Sequence, residues 1–320
     1  MKVLKHNEAQ LFKQIASMTQ PVLLKTLGTF LEKRYKHVVR TDKYLIAEGD
    51  IPIALVAHLD TVFSDPPENI FYDERSGVMW SPEGLGADDR AGVYSILKIV
   101  RMGYKPHIIF TTDEEVGGKG ASELIKKYPT QPFADLRYLI ELDRQGHDDC
   151  VFYSCENPGF TEYVESFGFV EEWGTFSDIS VICPQWGIAG VNLSIGYINE
   201  HSYREMLYVG SLINTVNKVC NMLDAAEYLE EPYVYIHSDQ GKYDYLWKDF
   251  LSDDVLKCDH CGKEFFEFEL VPVKLKSGKT GFYCPDCIAS NDISWCATCY
   301  EAYEIDEFND NWECADCRKM

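Results

Sequence analysis

The chain has 320 residues, 46% hydrophobic and 26% charged, which is enough for one large domain plus a small one and too apolar for disorder to dominate. Thirty Lys plus Arg against 52 Asp plus Glu give a net charge of −22, which repels phosphate backbones and argues against a nucleic-acid partner. The longest apolar stretch, about residues 51–57, falls far short of the roughly 20 residues that span a bilayer, and residues 1–12 contain no apolar run of a secretory signal, so no membrane association and a cytoplasmic location are expected.

Along the chain, apolar positions recur at helical spacing over residues 8–35, interrupted at Pro21, which predicts one broken helix or two short ones. Short apolar runs bounded by polar residues then predict strands at 38–47, 51–57, 108–112, 138–142 and 189–195. Helical patterns over 91–102, 121–128 and 160–167 alternate with them, so the fold class is α/β, a mixed sheet with helices on both faces. Ser202 and Glu205 match a capping box ahead of the stripe Leu207, Leu212, Ile213, Val216, Val219 and Leu223, predicting that the last long helix starts there. Residues 229–257 are acidic and aromatic and read as a linker or docking segment between a domain at 1–228 and a Cys-rich module at 258–320.

Eight of the twelve cysteines form four CxxC doublets: Cys258 and Cys261, Cys284 and Cys287, Cys296 and Cys299, Cys314 and Cys317. Gaps of 22 and 14 residues bracket the zinc-ribbon range, so two zinc sites of four cysteines each are expected, with the doublets paired either sequentially or interleaved. A module this small needs its metals to fold. With six Lys plus Arg and thirteen Asp plus Glu from residue 258 onward, it suits a candidate protein partner or a structural role better than nucleic acid. Cys150, Cys155, Cys183 and Cys220 read as ordinary buried or surface residues.

In the first domain, chemistry-bearing residues fall at the carboxyl ends of predicted strands, where open α/β sheets place ligands. His58 and Asp60 follow the 51–57 run, Asp88 and Asp89 lie in a glycine-rich loop before a helix, and Glu114 and Glu115 follow the 108–112 run. Asp143 follows 138–142, and His201 comes after 189–195. Such a set of acids would repel one another strongly, and two Zn2+ ions would neutralise it. Trp173, Phe176 and Asp178, between Asp143 and His201, are candidate substrate contacts.

The segments HLDTV, GADDRAGV and DEEVGGKGA, with the later Asp and His, resemble the co-catalytic zinc exopeptidase superfamily of aminopeptidases, tripeptidases and aminoacylases over roughly residues 40–225. The resemblance implies His58 and Asp143 on one zinc, Glu115 and His201 on the other and Asp88 bridging them. It also implies Asp60 as the partner that holds His58, and a cis peptide between Asp88 and Asp89. Glu114 would be the general base that takes a proton from a metal-bridging water. Only 58 positions separate Asp143 from His201, too few for the lid domain of some members, so a lidless catalytic domain is expected. Glu200 stands where some aminopeptidases have a tyrosine, for which Tyr197 is a candidate substitute. The leading expectation is a zinc-dependent metallopeptidase that removes the N-terminal residue of short peptides, with two catalytic and two structural zinc ions. The alternatives are a zinc amidohydrolase acting on N-acyl amino acids or similar small amides, and a non-catalytic zinc-binding scaffold.

Overall fold

The computed structural model describes residues 4–237 and, beyond them, 255–266, 270–275, 279–284, 287–288, 293–295 and 302–304. The chain forms two compact units, Met1–Ser238 and Asp239–Met320.

The first unit opens with α1 (His6–Ala16) and α2 (Gln20–Glu32). The break falls at residues 17–19, and Pro21 sits in the first turn of α2, where its missing N–H has no intrahelical partner to lose. A hairpin follows, β1 (His37–Arg40) and β2 (Tyr44–Glu48), then β3 (Ile51–His58), β4 (Phe71–Asp73) and β5 (Val78–Trp80). Next come α3 (Ala87–Arg101), β6 (Pro106–Thr111), α4 (Lys119–Lys127), β7 (Tyr138–Arg144) and β8 (Asp149–Val151). The unit continues through α5 (Pro158–Glu165), β9 (Val170–Glu171), α6 (Asp178–Trp186), β10 (Gly190–Ser194), β11 (Tyr197–Ile198), β12 (Met206–Tyr208) and α7 (Val209–Ala225).

Eight strands make one mixed sheet in the order β1-β2-β6-β3-β7-β10-β8-β9, with β6, β3, β7 and β10 mutually parallel at its centre. These four are buried almost throughout because both of their faces are covered. On one face α3 packs against β3 and β7 and is flanked by α1 and α7, and on the other α6 packs against β3, β7 and β10 beside α4. A second, antiparallel sheet, β11-β12-β5-β4, stands apart from the main one. The segment between Asp143 and His201 supplies β8, β9 and β10 to the main sheet rather than a separate lid. Among the described residues no helix is long and apolar enough to cross a membrane.

The last long helix starts at Val209, seven residues beyond Ser202. Ser202 instead closes a turn, donating from Oγ to the Asn199 carbonyl at 2.7 Å, and Leu207 lies in β12. Glu205 is thereby freed for a different task, described below.

Residues 229–237 pack with the first unit. The Tyr233 ring meets those of Tyr138, Phe160 and Tyr163, and its backbone bonds to Arg137 and Ala189. Phe160 is fully buried at the centre of this cluster, and its helix starts cleanly because the Asn157 carboxamide oxygen accepts the Phe160 N–H at 3.1 Å. Phe160→Ala is expected to lower stability by about 3–5 kcal/mol in equilibrium urea unfolding. A change within ~1 kcal/mol would show that the cluster does not hold this end of the unit.

In the second unit, β13 (Val255–Lys257) pairs with β14 (Glu264–Phe266) across a turn carrying the first CxxC doublet. A four-stranded sheet follows in the order β16-β15-β18-β17, from β15 (Val271–Lys274), β16 (Thr280–Tyr283), β17 (Ile293–Trp295) and β18 (Ala302–Glu304).

Candidate active site

The parallel strands deliver the predicted residues to one edge of the sheet. His58 is the last residue of β3 and Asp143 the last but one of β7, while Glu114 and Glu115 follow β6. Asp88 and Asp89 lie at the start of α3, whose backbone is not helical until after Asp89, and the peptide bond between them is cis.

His58 is buried, with Nε2 3.0 Å from Asp88 Oδ1, 3.3 Å from Asp143 Oδ1 and 3.9 Å from Glu114 Oε2. Its Nδ1 lies 3.4 Å from Asp60 Oδ1. The half-exposed His201 places Nε2 3.1 Å from Asp88 Oδ2 and 3.0 Å from Glu115 Oε2. Besides a group of His58 with Glu114 and Glu115, two groups of candidate metal ligands result, His58 with Asp88 and Asp143, and Asp88 with Glu115 and His201, each with ligand atoms within 4.8 Å of one another. Asp88 belongs to both, one oxygen toward each histidine.

The surrounding residues fix this arrangement. Asp60 accepts the N–H groups of Glu114 and Glu115, both at 3.0 Å, so one carboxylate orients both the His58 ring and the two acids. Asp89 accepts the N–H of His58 at 3.2 Å and of Gly92 at 2.9 Å. Asp113, first of three consecutive acids, is turned away in a left-handed conformation (φ 58°) and pairs with Lys43 and Gln20. That turn is what aims Glu114 and Glu115 at the site.

Some of the supporting contacts are not legible in the sequence. Ser177 Oγ donates to Asp143 Oδ2 at 3.1 Å, and Tyr197 OH to Asp143 Oδ1 at 3.2 Å. Tyr197 therefore touches the site through Asp143. The Asn192 amide donates to the Asp143 carbonyl, Tyr153 OH and Ser177 Oγ. These contacts join residues 15 to 54 positions apart and leave no local pattern. Asp178, a candidate substrate contact by sequence, is fully buried and accepts from Thr111 Oγ1.

Glu205 is the most informative of the unforeseen residues. It is buried, and its two oxygens accept the N–H groups of Ala87 at 2.9 Å and Asp88 at 3.1 Å. The carboxyl group thus grips the loop that carries the shared acid. Glu205→Ala leaves two buried N–H groups without acceptors and is expected to cost roughly 1–3 kcal/mol for each in urea unfolding. An unchanged midpoint would remove Glu205 from this role.

Crowding shows in the electrostatics. Burial, reinforced by Asp143, Asp178 and Glu115, pushes Glu114 well above the usual carboxylate range against the pull of His58. Burial opposes a charge on His58, but Asp143, Asp60 and Asp88 outweigh it and raise its pKa. Hydrogen bonds to Asp88 and Glu115 raise His201 to about 11.

The site opens into a cleft of about 360 Å3, lined by Asp88, Glu114, Glu115, Asp143 and His201 together with Arg144, Tyr153, Trp173, Phe176, Tyr197 and Glu200. Trp173 and Phe176 are thus at the cleft, Trp173 largely exposed.

In the second unit, the sulfurs of Cys258, Cys261, Cys284 and Cys287 converge within 4.8 Å, bringing the first and second doublets together. Burial works against a Cys258 thiolate, but the N–H groups of Cys261, Cys284 and His260 outweigh it and bring its pKa to about 6. Cys296, Cys299, Cys314 and Cys317 lie outside the described residues.

No family model and no curated protein matches the chain. Solved structures do. The aminopeptidase PepT from Bacillus cereus superposes with a TM-score of 0.56 at 15% identity, covering 70% of this chain and 99% of that one. A tripeptidase from Staphylococcus aureus gives 0.56 at 14% identity, over 71% and 100% of the two chains. An aminopeptidase from the archaeon Desulfurococcus kamchatkensis gives 0.51 at 13%, over 70% and 97%. The chain therefore has the fold of these aminopeptidases and this tripeptidase, a mixed α/β sheet with helices on both faces, as the sequence pattern predicts.

Proposed function

We propose that the chain is a two-zinc metallo-exopeptidase that hydrolyses the N-terminal residue of short peptides. The observation that carries this reading is the pair of ligand groups sharing Asp88, with the Glu114 carboxylate 3.9 Å from His58 Nε2. The donors fit zinc in kind: two imidazoles and three carboxylates, one of which, Glu115, has a buried oxygen with no hydrogen-bond partner. His58 and Asp143 would hold one ion, Glu115 and His201 the other, and Asp88 both. When bound, the ions would supply Lewis acidity toward the scissile carbonyl and lower the pKa of water at the site.

The chain's own residues would do the rest. Glu114 is held at the cluster through its N–H on Asp60, and its raised pKa suits it to take a proton from the attacking water and return it to the leaving amine. Asp60 keeps the His58 ring in place. With Asp88, Glu115 and Asp143 taken up by zinc, Glu114 and Glu200 would remain as the other carboxylates lining the cleft, a surrounding that favours a cationic substrate end such as a free α-amine. This favours an aminopeptidase over an amidohydrolase acting on N-acyl amino acids. The four converging cysteines would hold a structural zinc, and the remaining two doublets a second.

Zinc-loaded protein is expected to release alanine from trialanine and to leave N-acetyl-trialanine intact. Faster hydrolysis of the acetylated peptide would favour the amidohydrolase, and no hydrolysis of either would favour a scaffold.

A further inference from the structure

Arg144 ends β7, one residue beyond Asp143, and its backbone is fixed there because its carbonyl accepts the Ile195 N–H at 2.9 Å. It lines the cleft beside the candidate ligands and is the one Lys or Arg among the lining residues. Among the described residues its guanidinium forms no ion pair, and its Nε is shielded from solvent without a hydrogen-bond partner. Glu200 senses its charge but lies beyond ion-pair distance. An arginine fixed at a strand end, with no ion-pair partner among the described residues in an otherwise acidic cleft, is built to receive an anion, and the planar fork matches a carboxylate best. The cleft, at about 360 Å3, lies near the small end of the roughly 300–1,000 Å3 typical of ligand sites, so a long peptide would not be enclosed.

We infer that Arg144 binds the C-terminal carboxylate of the substrate, so that the site selects short peptides with a free C-terminus. This rests on the exopeptidase reading.

The test compares trialanine with trialanine amide, using the zinc-loaded full-length protein and its Arg144→Met and Arg144→Lys variants. For the unmodified protein, kcat/KM is expected to be roughly ten- to a hundredfold lower on the amide, mainly through KM, as for the loss of a charged hydrogen-bonded pair. Arg144→Met is expected to abolish that ratio, and Arg144→Lys to restore part of it. Equal hydrolysis of acid and amide by the unmodified protein overturns the inference and leaves the exopeptidase reading standing, whatever the variants do. A preference that survives in Arg144→Met also overturns it. Hydrolysis of neither peptide overturns the exopeptidase reading and this inference together.

Discussion

Glu114→Gln is expected to keep the full zinc content of the chain while kcat on trialanine falls by about 10²–10⁴-fold, the usual contribution of a general base. The substitution preserves the shape of the side chain and the N–H that Asp60 accepts, so the backbone that carries Glu115 stays anchored. It removes the one property the mechanism needs, a group that can take a proton and give it back. Glu114 is well placed for this because burial and the neighbouring acids Asp143, Asp178 and Glu115 raise its proton affinity. Zinc content by atomic emission and initial rates on the same preparation check both halves. A variant that keeps its zinc and its rate would remove Glu114 from the chemistry, whereas one that loses zinc would make it a ligand.

Asp88→Ala should have the larger effect on metal. Asp88 lies 3.0 Å from the Nε2 of His58 through one oxygen and 3.1 Å from that of His201 through the other, so its removal breaks both ligand groups. Loss of residues that merely orient metal ligands costs about 10–100-fold in affinity, so losing a shared ligand is expected to exceed ~100-fold. Zinc titration should show both first-unit sites weakened together, with binding at the Cys258, Cys261, Cys284 and Cys287 cluster unchanged. Loss of a single ion would mean that Asp88 serves only one site.

Much of this arrangement can be read from sequence because the four central strands are buried on both faces. That burial writes continuous apolar runs, and the residue following each run is therefore placed at the sheet edge. His58, Glu114, Glu115 and Asp143 are legible in this way, and the structure brings them together with Asp88 and His201. Elements of two or three residues, such as β4, β5, β11 and β12, leave too short a pattern. Helix α6 carries Pro184 in its interior, which masks its periodicity. Glu205 misleads because Ser202 and Glu205 have capping-box spacing, while the donors that Glu205 satisfies lie more than a hundred positions earlier, at Ala87 and Asp88. Ser177 and Asn192 likewise act through pairings that only the folded sheet creates.

The central claim is that one acidic cluster, with Asp88 at its middle, is a two-metal hydrolytic centre. Anomalous X-ray diffraction at the zinc edge from crystals of the zinc-loaded protein tests it directly. The account predicts two peaks in the first unit, one beside His58 and Asp143 and the other beside Glu115 and His201, with Asp88 between them. A single peak there, or zinc confined to the cysteines of the second unit, would contradict it.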